Sequence, residues 1–191
     1  MPLGPSALVT LAEAKAFIAG TIPSSDDARL EGMIDAASDL ILRETNREFL
    51  PKVTATRMIS YQWGGVAWFT PYDARAVTSI TLGSTLLTAD VDYVLLPTSR
   101  RDGVFTGARL SSNLTIDVAP LGVALLSVVG DWGWTDVPNQ IKRACLRIVD
   151  AWYGVDGPAH SEEFSEATFA GDGMLPMDVW GVIKSYRRVF I

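Results

Sequence analysis

The sequence predicts an α+β protein in which a four-helix core, arranged as a helical bundle, is interrupted by a β-rich insertion between the second and third helices. Three observations predict it. Apolar residues recur at helical spacing near both ends of the chain. From about residue 53 to residue 129 the period falls to two and β-branched residues become frequent. A Gly–aromatic–Gly corner followed by Val137-Pro138 then returns the chain to a helical pattern. The expected division is a helical core from residues 1–52 and 137–191 and an inserted β region at 53–136.

The first helix starts at Thr10. Thr10-Leu11-Ala12-Glu13 has the form of a capping box, in which hydroxyl and carboxylate each satisfy a free backbone N–H. Gly20 ends the helix and Pro23 prevents its continuation. Ser24 or Ser25 is expected to cap the second helix, with Asp26 and Asp27 complementing its dipole. Leu30, Met33, Ile34, Ala37, Leu40 and Ile41 form one apolar stripe, and Asp39 and Arg43 an i,i+4 pair on the polar side. Pro51 is expected to close it. Residues 53–61 then read as a strand, Gly64-Gly65 as a turn, and residues 66–70 as a short strand stopped by Pro71. Residues 77–82 and 85–87 flank Gly83-Ser84 as a hairpin. Residues 93–96 form a strand ended by Pro97, and residues 98–107 an exposed loop. Residues 114–118 and 123–129 complete the β region.

Pro138 suits the first turn of the third helix, whose apolar face carries Ile141, Ala144, Cys145, Ile148 and Trp152. Its other face carries Lys142, Arg143, Arg147 and Asp150. Residues 154–173 are acidic, Gly-rich and long for an ordinary connection, which marks a functional or mobile loop. The fourth helix starts at Pro176, with Asp178 in its first turn and Arg187 and Arg188 in its last.

Residues 130–153, GDWGWTDVPNQIKRACLRIVDAWY, resemble the re-entrant corner of the head-to-tail connector (adaptor) proteins of tailed bacteriophages. The other segments follow in the same order. Residues 10–18, TLAEAKAFI, look like that family's short first helix, and residues 24–50 like its long second helix. Residues 76–96, with Asp92-Tyr93 near their end, are similar to its strand–turn–strand, and residues 175–188, closing on Tyr186-Arg187-Arg188, to its last helix. The resemblance implies a structural virion protein with no enzymatic role and no cofactor. Its subunits would form a homo-oligomeric ring in the neck of the virion, after assembly in the host cytoplasm. The ring would join the portal protein to a stopper or tail-completion protein, and genomic DNA would pass through its lumen without sequence-specific binding.

Composition bounds the alternatives. The chain has 191 residues, 48% of them apolar, which allows a sizeable core. Sixteen Lys and Arg against 22 Asp and Glu give a formal net charge of −6, which argues against a dedicated DNA binder. The N-terminus lacks a basic region before its apolar stretch and does not read as a secretory signal. The longest apolar run, residues 121–129, is about half of the ~20 residues a membrane span needs, so no membrane is expected. The lone Cys145 lies on an apolar helix face and reads as a buried, inert thiol.

Few residues suggest chemistry. His160 stands near Glu162, Glu163 and Glu166, but one His among loop glutamates reads as a solvated loop rather than a metal site. The pairs Asp26/Asp27 and Asp90/Asp92 read as cap and turn residues. Gly171-Asp172-Gly173 lacks the Lys-Ser/Thr of a phosphate loop. Arg100-Arg101 and Lys142-Arg143-Arg147 read as solvated faces or as partners for an acidic neighbouring subunit. The tail Tyr186, Arg187, Arg188, Val189, Phe190 and Ile191 is expected to dock on the portal, since Arg and aromatic residues are the usual interface anchors. Phe164, Phe169 and Asp172 are expected to meet a neighbouring subunit. The competing reading is a small cytosolic enzyme or ligand-binding domain with an aromatic cleft around Trp63, Trp68, Trp132 and Trp134.

Overall fold

In the computed structural model, which describes residues 3–62, 65–98, 103–114, 123–155, 169–170 and 175–188, the chain divides into two units. One comprises residues 1–46 and 137–191, the other residues 47–136.

The first unit contains α1 (Leu11–Phe17), a 3-10 turn (Ser24–Asp26), α2 (Asp27–Thr45), α3 (Asn139–Val155), the two-residue strands β8 (Phe169–Ala170) and β9 (Leu175–Pro176), and α4 (Met177–Tyr186). At Thr10 the capping box forms: its hydroxyl accepts from the Glu13 N–H, and the Glu13 carboxylate accepts from the Thr10 N–H. The start of α2 differs from expectation. No serine caps it, because the 3-10 turn brings Asp26 to the N-cap and turns its carboxylate toward the Ser25 and Tyr153 hydroxyls. Asp39 accepts from the Ser6 hydroxyl rather than pairing with Arg43, whose Nε lies 3.8 Å from Glu44. The helix stops at Thr45 and not at Pro51, because Asn46 adopts the left-handed conformation that ends helices (φ 51°).

The core of this unit lies between α2 and α3. Leu30, Ile34, Ala37 and Ile41 meet Ile141, Ala144, Cys145, Ile148 and Val149, all buried. Ala14, Val179 and Ile183 close it from α1 and α4. Ser38 is buried here but satisfied: its hydroxyl donates to the Ile34 carbonyl and accepts from the Leu8 N–H.

These helices are not a four-helix bundle, which corrects the expected fold class. The architecture is a strand-rich α+β fold. A bundle needs four helices of similar length running side by side. Here α1 has seven residues, about two turns, and α4 ten, whereas α2 has 19 and α3 17. Among the described residues the short helices flank one long helix pair, and the two-stranded β8–β9 pair packs beside α3 and α4.

The second unit contains β1 (Lys52–Gln62), β2 (Val66–Trp68), β3 (Ala74–Leu82), β4 (Thr85–Leu87), β5 (Tyr93–Leu96), β6 (Gly107–Leu110) and β7 (Val123–Trp132). They form two antiparallel sheets, ordered β1-β7-β3-β4 and β2-β6-β5. The hairpin at Gly83-Ser84 forms, with Leu82 opposite Thr85. Strand β6 had no sequence expectation, and it falls partly where a loop was expected. That stretch is not wholly exposed, since Val104 is buried and Phe105 exchanges backbone hydrogen bonds with Ala74. Leu114 lies outside any strand, and residues 115–118 lie outside the described residues.

Alternation along β7 sends Leu126, Val128 and Trp132 inward. Ile59, Tyr61, Ile80 and Leu82 of the larger sheet join Ala67, Tyr93, Ala108 and Leu110 of the smaller in one core. Trp132 is fully buried, edge-on to Phe69 and Tyr72, with its indole N–H donating to the Ala55 carbonyl at 2.7 Å.

The ends of this unit close on Asp73, which is 0% exposed. Its carboxylate accepts from the Trp134 indole N–H at 3.0 Å and faces the Arg47 guanidinium at 3.4 Å. Its carbonyl accepts from the Gly133 N–H at 2.7 Å. Phe49 packs on Trp134 with ring centroids 5.7 Å apart. Gly133 makes this closure possible: its φ is +77°, and a Cβ there would stand 1.9 Å from the Leu50 carbonyl oxygen. Gly133→Ala therefore combines left-handed strain with a backbone clash and should cost about 3 kcal/mol or more. Urea unfolding followed by tryptophan fluorescence checks this; an unchanged midpoint would contradict the closure.

Candidate interaction surfaces

Three surfaces of the described chain differ from an ordinary solvated exterior, and each belongs to a single unit.

In the helical unit a groove of about 380 Å³ runs between α3 and α4. Ala144, Val179 and Val182 give it an apolar floor, and Arg143 and Arg147 stand on its α3 side. Gly181 lines the opposite side, and a Cβ built there meets nothing within 4 Å. The basic cluster expected on α3 is divided by its partners. Lys142 donates to Glu13 at 3.0 Å. Arg147 donates to Asp178 at 3.1 Å and lies 3.9 Å from Asp150. Among the described residues no carboxylate pairs with Arg143, which is exposed.

The last described residues, Tyr186 to Arg188, are anchored to this unit. The Tyr186 hydroxyl donates to Gln140 at 3.3 Å, the Arg187 N–H to the Lys184 carbonyl, and the Arg188 N–H to the Thr45 carbonyl at 3.0 Å. Val189, Phe190 and Ile191 lie outside the described residues, as do Phe164 and Asp172 of the expected inter-subunit loop. The backbone of Phe169 pairs with Pro176.

In the β unit one row on the outward side of the larger sheet carries no charge. The row Met58–Ser127–Thr81–Leu86 crosses all four strands without one ionised side chain. Met58 is 58% exposed, Leu86 66%, and Leu125, opposite Ser60, 53%. Antiparallel sheets with one wet face usually place polar residues there. Only the register shows that these apolar residues share a face, so the sequence reading missed it.

The other candidates do not gather into a site. Trp132 and Trp134 are buried in structural roles and Trp68 is half exposed on β2, so among the described residues these rings form no aromatic cleft; Trp63 lies outside the described residues. Asp92 closes a turn by accepting from the Thr88 N–H, and Asp90 takes a left-handed turn conformation. Among the described residues no group of three or more His, Cys, Asp or Glu could hold a metal ion, and no helix is long and apolar enough to cross a membrane. His160, Glu162, Glu163, Glu166, Gly171-Asp172-Gly173 and Arg100-Arg101 lie outside the described residues. Cys145 is fully buried, and burial pushes its thiol up to about 11. It should stay unlabelled by thiol reagents in the native protein, and Cys145→Ser should cost about 1–3 kcal/mol. Rapid native labelling would refute the burial.

Two carboxylates tie the N-terminal part of this unit to α3. Glu13 is held below its ordinary value of 4.5, first by the Thr10 N–H and then by Lys142. Asp26 is held below 3.8, first by the Tyr153 hydroxyl (2.7 Å) and then by that of Ser25. Both groups have folded pKa values below their unfolded ones. Their contribution is complete above the unfolded values and is lost as pH falls through the lowered folded ones. The urea midpoint should stay level for these groups down to about pH 4.5 and then fall. Tyr153→Phe should make that fall shallower. An equally steep acid limb in this variant would show that the contact does not contribute.

The sequence pattern of the head completion protein family matches residues 7–189 of this chain. No curated protein matches it. Its fold is similar to that of a chain in the virion of a native gene transfer agent particle, with a TM-score of 0.58 and 17% identity over 100% of this chain and 94% of that one. It is similar also to a chain in the neck of an empty particle of that kind solved with C6 symmetry, with a TM-score of 0.59 and 16% identity over 100% and 95%. A third likeness is to a chain in the neck of a native particle solved with C12 symmetry, with a TM-score of 0.57 and 18% identity over 100% and 94%. At these identities the likeness shows a shared fold.

Proposed function

The chain belongs to the head completion protein family, and on that premise we propose that it is the head-to-tail adaptor of a phage-like particle. Copies of the subunit form a ring in the virion neck, after assembly in the host cytoplasm. The ring joins the portal protein on one side to a stopper or tail-completion protein on the other. Genomic DNA passes through its lumen without sequence-specific contacts. The role is structural, without a catalytic step.

The observation that carries this reading is the family match over nearly the whole chain. Other features support it. Ring closure uses heterologous contacts, in which one face of a subunit meets a different face of the next. The α3–α4 groove and the uncharged row across the larger sheet are two surfaces that could serve in such contacts. A net charge of −6 suits a passage through which a polyanion slides rather than sticks. The tail residues Val189, Phe190 and Ile191 would serve as a short apolar arm for the portal; their apolar composition after the Arg187-Arg188 pair supports this reading. Many copies in a ring would turn weak single-arm binding into a stable joint through avidity.

The test is to mix purified subunit with portal and examine the product by light scattering and electron microscopy. A ring added to the portal is expected. Failure to associate under conditions where the portal is intact would sink the adaptor reading. Deleting residues 189–191 should leave the fold unchanged and abolish attachment. If the truncated protein attaches as well as the full chain, the portal contact lies elsewhere.

A further inference from the structure

The α3–α4 groove contains a feature its own unit does not explain. Gly181 sits inside a ten-residue helix, where glycine is less favourable than alanine. No neighbour requires it, because a Cβ there would meet nothing within 4 Å. A helical glycine bordering open space is accounted for when another chain must approach the helix backbone closely. The same groove has an apolar floor and, in Arg143, a cation with no carboxylate partner among the described residues. Its occupant should therefore be a short segment bearing an apolar anchor and carboxylates.

The chain carries such a segment. Residues 161–168 read Ser-Glu-Glu-Phe-Ser-Glu-Ala-Thr, one aromatic among three glutamates with no lysine or arginine. We propose that the α3–α4 groove of one subunit receives residues 162–166 of a neighbouring copy, with Phe164 over Ala144, Val179 and Val182 and the glutamates toward Arg143. The inference rests on the ring reading and deepens it by naming one of the heterologous contacts. Size agrees, since about 380 Å³ is at the small end of ligand pockets and takes one aromatic side chain with its flanking backbone. Reach agrees too. The 13 residues between Val155, which ends α3, and Phe169, which begins β8, could extend about 20 Å out and back. Charge complementarity would select the wanted register and disfavour pairing of groove with groove.

The experiment uses the full chain assembled on portal. One preparation carries Gly181→Cys and another Ser165→Cys; the native Cys145 is buried and does not interfere. The two are mixed, assembled and oxidised. A disulfide joining the two different chains is expected. If the doubly substituted chain instead closes a disulfide within itself, the segment fills its own groove and the proposal is overturned. If rings form and no cross-link of either kind appears, the proposal is overturned while the ring reading stands. If no ring forms with the unsubstituted protein, the ring reading fails and the inference with it. A second readout guards against a cysteine that merely disturbs the groove. Gly181→Ala should raise or preserve the melting temperature of the free subunit yet weaken ring assembly, and Arg143→Glu should lose assembly and regain it with a partner carrying Glu163→Arg and Glu166→Arg. Undiminished assembly by both groove variants would refute the contact.

Discussion

The buried carboxylate of Asp73 is the constraint on which the β unit depends. A carboxylate with no exposure is costly unless its lone pairs are used. Here Trp134 and Arg47 use them, and the backbone of the same residue takes the Gly133 N–H. These partners come from the first and the last residues of the unit, so one side chain fixes where the chain enters and where it leaves. The Arg47 guanidinium also lies 5.8 Å from the centre of the Trp134 ring, which couples charge and aromatic packing at one point. With the ends held, β1 and β3 both pair with β7, and Trp132 is carried into the core two residues before Trp134.

The helical unit is held differently. It has one long helix pair, and shorter pieces are tied to that pair by polar contacts at its margins. Asp35, Ser38 and Asp39 receive the N-terminal segment through Gly4, Leu8 and Ser6. Glu13 and Asp26 reach α3 through Lys142 and Tyr153. Asp178 reaches it through Arg147. Exposed pairs of this kind each contribute little, so apolar burial between α2 and α3 supplies the stability and the pairs set position. The groove runs along α4 itself, from Asp178 to Ser185, against Gln140 to Arg147 of α3.

What the sequence made legible was local. The capping box at Thr10 needs four consecutive residues, the hairpin at Gly83-Ser84 needs two, and burial of Cys145 follows from the helical period around it. Each signal is complete within one element. The misses have distant causes. Helix α2 stops at Asn46 because of a single left-handed residue, although the composition continues helical to Leu50. Asp73 carries no local signal in the sequence, since its partners are 26 and 61 residues away. Trp132 and Trp134 suggested a cleft because aromatic clustering is visible in sequence and the sheet that buries the rings is not. Membership of the family was legible through the order of several weak motifs, and no single one of them decided it.

The distribution of charge ties fold to proposed assembly. Of the α3 cations, Lys142 and Arg147 are committed to carboxylates of their own unit, whereas Arg143 has none among the described residues. A cation left without a carboxylate beside an apolar floor costs little while water covers it. Its value rises when a partner excludes that water, because the same charge then acts in a lower dielectric. The uncharged row across the larger sheet works by the opposite means: it has little charge to desolvate, so covering it costs little. One surface discriminates by charge and the other tolerates burial. A subunit with the proposed adaptor role would need contacts of both kinds, and the two surfaces belong to different units of one chain.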